Sequence, residues 1–201
     1  MNTELVQSEQ GWQALRDEWD TLLAESVFPS VFLSFDYLVR AFAVFHAGHS
    51  EPFILTVRDS GGVLIGIVPF RRTMSPHWGG SHAVLEYLVT WETDKPYVIA
   101  GREGVDTVWG AIFSFLDANP IEWDLLQLIE MPDCLSGAAS IKKLFGVPGY
   151  QYRTTVGPDG PIVDLTQSWE EFLGQHKKYR KALNRLNQLN SDYKVITCDS
   201  S

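Results

Sequence analysis

The stretch PFILTVRDSGGVLIGIVPFRR, residues 52–72, decides the fold class. Two apolar, β-rich runs, PFILTVRD and VLIGIVPFRR, flank Ser60-Gly61-Gly62, and a short glycine turn between such runs is the signature of a hairpin. The pattern predicts antiparallel strands near 53–58 and 63–72. A sheet that holds this hairpin is at least partly antiparallel, which excludes a purely parallel, doubly wound architecture.

Upstream, Trp12, Leu15, Trp19, Leu22 and Leu23 recur at helical spacing with Arg16, Asp17, Glu18 and Asp20 between them, predicting an amphipathic helix over roughly 9–25. Pro29 and Ser30 interrupt the pattern. A second helix follows, with Ser34 as its cap, Phe35, Leu38, Val39, Phe42 and Phe45 as its apolar stripe, and an end near Gly48. Downstream of the loop WGGSH (78–82), the runs AVLEYLV (83–89) and YVIA (97–100) read as strands. Val105–Ala118 reads as a helix that Pro120 stops, WDLLQLI (123–129) as a strand, and Ser136–Phe145 as a helix. YQYRTTV (150–156) and PIVDL (161–165) read as two further strands about a turn at Gly157-Pro158-Asp159-Gly160. Helices alternating with strands around a partly antiparallel sheet describe a mixed α/β (α+β) domain.

With 201 residues, 45% of them hydrophobic and 12% aromatic, the chain suffices for one packed core and is marginal for two. The net charge of −9 repels phosphate backbones, so nucleic acid is not an expected partner and any anion must bind locally. The start, MNTELVQSEQGW, has neither the basic beginning nor the apolar run of a secretory signal, and no segment has the apolar length of a membrane span. Cys134 and Cys198 are far apart and form no metal-type pair. A cytoplasmic protein with reduced thiols is the simplest expectation.

Residues 168–190, SWEEFLGQHKKYRKALNRLNQLN, stand apart from this acidic background, with five cations between Lys177 and Arg185. Ser168 and Glu171 form the spacing of a capping box, so a helix is expected to begin at Trp169. Phe172, Tyr179, Leu183 and Leu186 share one face of it, Lys178, Lys181 and Arg185 line one flank, and Arg180 lies on the other. Acids at the start and cations towards the end suit the helix dipole. The same cations also suit a phosphate-bearing ligand or an acidic partner. The segment SDYKVITCDSS (191–201) reads as the start of a strand with nothing after it to cover it, so the chain is expected to stop short of a further unit.

Among chemistry-bearing residues, Glu92 and Asp94 alternate in an extended region and face one cleft if it stays extended, with Trp91 and Tyr97 as aromatic walls for a sugar or an amine. Asp94 is the first candidate for a catalytic acid or base. His46 and His49 lie three apart with no third ligand nearby in sequence, so they read as surface histidines and no metal is expected. Cys134 has no flanking cation or histidine to activate it. Neither a G-x-S-x-G elbow nor a P-loop is present.

In order along the chain, Phe32-Leu33-Ser34 with Tyr37, then Gly66-Ile67-Val68-Pro69-Phe70, then Thr93-Asp94 with Tyr97, and finally Trp169–Leu173 followed by Lys178-Tyr179-Arg180-Lys181, Leu183 and Arg185-Leu186, resemble a family. It is the two-lobed GNAT-type acyltransferases of the CelD/BcsL-like group, associated with cellulose and other exopolysaccharide synthesis. The resemblance implies a GNAT-like lobe over 1–165, and a connecting helix with the first strand of a second lobe over 166–201. It also implies acetyl-CoA as donor and an amine or sugar hydroxyl as acceptor. Trp91, Asp94 and Tyr97 would then lie on the acceptor side, and Lys178, Arg180 and Arg185 near the cofactor or the cleft between lobes. In the family the second lobe is expected to hold the acyl-CoA, so this chain is expected to be inactive alone and to depend on a second lobe or another chain.

The usual glycine-rich pyrophosphate loop of such enzymes has its nearest match in Arg58-Asp59-Ser60-Gly61-Gly62-Val63, which ends in valine and is read as a turn. The rival reading is a noncatalytic binding or scaffold module that presents the basic helix 169–189 to a protein partner.

Overall fold

A polar segment that the sequence pattern leaves unassigned forms the first strand. The computed structural model describes residues 1–76, 80–90, 93, 95–102, 104–131, 138–146, 149–155, 157, 166 and 168–189. Strand β1 (Asn2–Val6) pairs antiparallel with β2 (Glu51–Arg58) over its whole length. Only Leu5 and Val6 give it apolar character, so its pairing is dictated by a partner some fifty residues away and not by local pattern. Between the two strands run helices α1 (Glu9–Ala14), α2 (Arg16–Ala24) and α3 (Phe35–Ala41). The single helix expected over 9–25 is thus interrupted at Leu15, with Trp12, Leu15, Trp19 and Leu23 all buried along it.

The predicted hairpin is present: β2 pairs antiparallel with β3 (Leu64–Ser75), with Phe53 opposite Phe70 and Leu55 opposite Val68. β3 runs three residues further than expected because Thr73, Met74 and Ser75 pair with β4 (His82–Tyr87). A short β5 (Ile99–Ala100) also pairs with β3, at Gly66 and Ile67. Helix α4 covers Val105–Ala118, as the sequence predicts, and leads to β6 (Leu125–Gln127), which lies parallel to β4. Sheet order is β1-β2-β3-β4-β6, antiparallel apart from the last pair. The architecture is therefore a mixed α/β sheet with helices on both faces, as expected.

Cross-strand register assigns the faces. Arg58 reaches Glu18 of α2 in a two-pronged ion pair of 2.6 and 2.7 Å, so the face carrying Arg58, Thr56 and Ile54 lies under the N-terminal helices. The opposite face, with Gly66, Val68 and Phe70, meets α4, where a Cβ on Gly66 would fall 2.5 Å from both methyl carbons of Val108. The core between these layers includes Trp19, Phe35, Phe53, Phe70, Tyr87, Val108 and Trp109.

Helix α5 (Ala138–Phe145) follows, the first two residues of its predicted span lying outside the described residues. Residues 150–155 do not form the expected strand: Tyr150 instead stacks on Trp123 (5.9 Å, 5°) and donates to the Asp117 carboxylate at 2.6 Å. The PIVDL strand and the strand expected after residue 190 lie outside the described residues.

The chain divides into two compact units, Met1–Thr155 and Val156–Ser201. In the second, α6 (Trp169–Gln175) opens with the predicted capping box, and Ser168 and Glu171 satisfy each other's backbone N–H. The expected single helix breaks at His176, whose backbone is not helical (φ −111, ψ 72), and resumes as α7 (Lys177–Leu189).

Candidate functional site

Pro69 sits in the middle of β3 and has no N–H to give the ladder. Its carbonyl accepts from Leu88 N at 2.8 Å, so its missing donor faces the side on which β4 and β5 pair. There the ladder lapses. Partners of β3 pass from Tyr87 and Leu88 to Ile99 across the single residue Val68, while the chain makes a detour through residues 89–98. This detour, with both ends pinned to one strand, carries the sequence-predicted Trp91, Asp94 and Tyr97. Its backbone is strained at Lys95, a non-glycine residue at φ 52.

Two anchors hold the detour against α3. The Tyr37 hydroxyl is 2.8 Å from Thr90 Oγ1 and 3.3 Å from Thr93 Oγ1, and Thr90 N donates to Thr93 Oγ1 at 2.9 Å. His46 Nε2 lies 2.7 Å from the Val89 carbonyl, which can only accept, so Nε2 carries the proton and Nδ1 the lone pair.

His46 was expected at the surface; it is 8% exposed. The cause is a π turn over Phe42–His46, in which Ala47 N bonds to Phe42 O, five residues back. One residue too many for an α-helix is thereby inserted, so His46 takes the inward place of the stripe and Phe45, expected inside, is 52% exposed. Burial holds His46 below the ordinary histidine range, reinforced by Arg71, while the Val89 bond and Glu86 oppose the shift. Arg71 and Glu86 face each other across β3 and β4 in a half-buried 2.9 Å ion pair. Arg71 Nε and Thr73 Oγ1, on the same strand face, are buried without a partner among the described residues.

Beside the detour lies a groove of about 300 Å³ lined by Tyr37, Arg40, Ala41, Val44, Phe45 and Thr90. Its walls are almost wholly apolar, and Arg40, which lines it, makes no ion pair among the described residues.

At the other end of β5, the turn Gly101–Gly104 feeds α4. Gly104 is the N-cap, no side chain caps the helix, and a Cβ on Gly101 would meet nothing within 4 Å. Among the described residues no side chain takes up the first-turn amides of this 14-residue helix, which lie next to the exposed Arg102, with Asp106 as an opposing charge; the acidic Glu103 lies outside the described residues. Sequence reading missed this turn because it sought a fixed glycine pattern; the available signal was two glycines between a strand and a helix without a capping side chain. Around Arg58-Asp59-Ser60-Gly61-Gly62-Val63 the expected turn is found: Asp59 Oδ1 accepts from Gly61 N and Val63 N, leaving little for a ligand.

Of the other predicted residues, Tyr97 is fully buried and packs edge-on to Phe28 at 6.5 Å, so it anchors the detour and is no open wall. Trp91, Glu92, Asp94 and Cys134 lie outside the described residues. Lys178, Arg180 and Arg185 are exposed on α7 and form no ion pair among the described residues. No group of three metal-ligating side chains occurs among the described residues, and none of the described helices is long and apolar enough to cross a membrane.

No family model matches the sequence, and no curated protein matches it. Among solved structures, the chain is similar to a ribosomal-protein-alanine N-acetyltransferase from Brucella melitensis biovar Abortus 2308, with 15% identity, 82% of this chain and 100% of that chain covered, and a TM-score of 0.42. It is also similar to a mutant of the BH1408 protein from Bacillus halodurans, with 13% identity, 81% and 100% covered, and a TM-score of 0.42.

Proposed function

We propose that the chain serves acyl transfer from an acyl-CoA thioester to an amine or hydroxyl, as a GNAT-type acyltransferase of the CelD/BcsL-like group. The observation that carries this reading is the connection from β5 through Gly101–Gly104 into the uncapped α4 and on to β6, parallel to β4. A strand, a glycine turn and a free helix N-terminus together make a pyrophosphate cradle: the amides point at the anion and the dipole favours it. Arg102 adds a cation there, next in sequence to the acidic Glu103.

The acceptor side is proposed to be the 89–98 detour and its neighbouring groove, with Asp94 as the base that takes the acceptor's proton and Trp91 as a wall. In such a reaction the nucleophile attacks the thioester carbonyl, a backbone N–H steadies the oxyanion, and CoA leaves as the thiol. Lys178, Arg180 and Arg185 are proposed to contact a cofactor or a neighbouring lobe. The exposure of Trp169 and Tyr179 beside these cations favours a second reading, a binding module that offers α6 and α7 to a protein partner.

Incubating the chain with acetyl-CoA and a panel of amines and sugars, and following free thiol, tests the proposal. With the proposed cofactor site inside this lobe, acceptor-dependent release of CoA by the chain alone is expected, contrary to the expectation from the resemblance that it is inactive alone; release with no acceptor of either class above the protein-free rate would overturn the proposal.

A further inference from the structure

The detour of residues 89–98 is held on one side by two hydrogen-bonding groups, His46 and Tyr37, to which the acyl-transfer reading gives no positioning role. His46 meets the backbone of Val89, and Tyr37 gathers the hydroxyls of Thr90 and Thr93, so both ends of Val89–Thr93 are tied to the same helical segment. That segment is fixed in turn. Phe35, Leu38 and Ala41 are buried beneath it, and the π turn that delivers His46 is closed by its own five-residue hydrogen bond. Thr93 is itself buried, while Lys95, two residues on, is exposed and strained. Left to itself, a detour with that strain would sample other backbones.

We propose that His46 and Tyr37 are positioning residues that fix the chain at Val89, Thr90 and Thr93, and through these residues the acceptor side. The part concerning the acceptor rests on the acyl-transfer reading; the latch itself does not. Among the described residues, the charged groups facing His46 are Arg71 on β3 and Glu86 on β4. Protonating Nδ1 would put a second cation beside Arg71 in a buried place, against which the Val89 carbonyl and Glu86 act. The protonated ring gains more from water than the neutral one, so acid favours release of the segment. The depressed folded-state value agrees in sign: the latch is whole above the free histidine range and weakens as pH falls through it.

The test is hydrogen exchange of the 88–98 amides, expressed as protection factors, in the full chain and in His46→Leu, His46→Gln and Tyr37→Phe. Glutamine keeps an N–H that reaches Val89, so it serves as the conservative rescue. His46→Leu is expected to lower protection of this segment about tenfold and leave the β2–β3 amides unchanged. His46→Gln should restore most of it and remove the loss of protection expected of wild type as pH falls through the free histidine range. Tyr37→Phe, which deletes only an oxygen, should lower protection at Thr90 and Thr93 and cannot fail through lost packing. In turnover, His46→Leu should raise KM for the acceptor while kcat holds. Unchanged protection in both His46→Leu and Tyr37→Phe overturns the latch. Lost protection with an unchanged acceptor KM overturns its role in recognition. If wild type transfers no acyl group while the exchange effects stand, it is the proposed function that fails and not the latch.

Discussion

Trp19→Ala will lower the unfolding free energy by about 3–5 kcal/mol, a large share of the roughly 5–15 kcal/mol that holds a domain of this kind together. Trp19 is completely buried, packs edge-on to Phe35 at 5.8 Å, and donates its indole N–H to the Leu33 carbonyl at 2.8 Å. Alanine leaves a cavity where the indole was and strands that carbonyl beneath α2. Trp19→Phe separates the two contributions, since it keeps most of the volume and loses the hydrogen bond. It should cost about 1–3 kcal/mol, because a buried acceptor is left unpaired. Urea unfolding read by the remaining tryptophans measures both. A cost under about 1 kcal/mol for Trp19→Ala would mean that α2 does not pack as described.

Gly66→Ala will cost about 1–3 kcal/mol although it adds one carbon, through overpacking. The new Cβ would lie 2.5 Å from Val108 Cγ1 and Cγ2 and 3.1 Å from its Cβ. Val108 cannot swing aside: it is fully buried and β-branched, and in a helix its side chain has essentially one rotamer. Helix α4 must therefore move off the sheet, taking the Gly101–Gly104 turn with it. The decisive comparison is the double mutant Gly66→Ala with Val108→Ala. Relief of the clash should make it more stable than the sum of the two single changes predicts. Simple additivity would show that Gly66 is small for another reason.

These two sites also show how far the sequence could be read. The hairpin was legible because both strands and the turn lie within residues 51–75, and α4 because its period and Pro120 are local. Gly66 was visible as part of a pattern, but its reason, a valine forty-two positions later, needed the fold. β1 was missed since Asn2-Thr3-Glu4 has no strand character until β2 lies beside it. His46 was placed on the wrong side because one inserted residue in a π turn exchanges it with Phe45, and nothing in FAVFH announces that insertion. Pro69 was the overlooked clue to the candidate site: a proline inside an apolar run signals a ladder that must lapse nearby. The break at His176 had no signal, for the capping box and wheel describe a helix that continues.

Calorimetric titration of acetyl-CoA into the wild-type chain and into Gly104→Asp tests the proposed acyl-CoA site at the start of α4. Gly104 has a negative φ, and a Cβ there would come no nearer than 3.5 Å to Gly101 O, so aspartate fits. Its carboxylate would complement the α4 dipole, leaving stability unchanged or raised by a few tenths of a kcal/mol, while repelling phosphate. Wild type should bind between millimolar and micromolar, about −4 to −8 kcal/mol, and Gly104→Asp at least about tenfold more weakly with an undiminished unfolding midpoint. No heat from wild type, or equal binding by the two proteins, would contradict the proposed site.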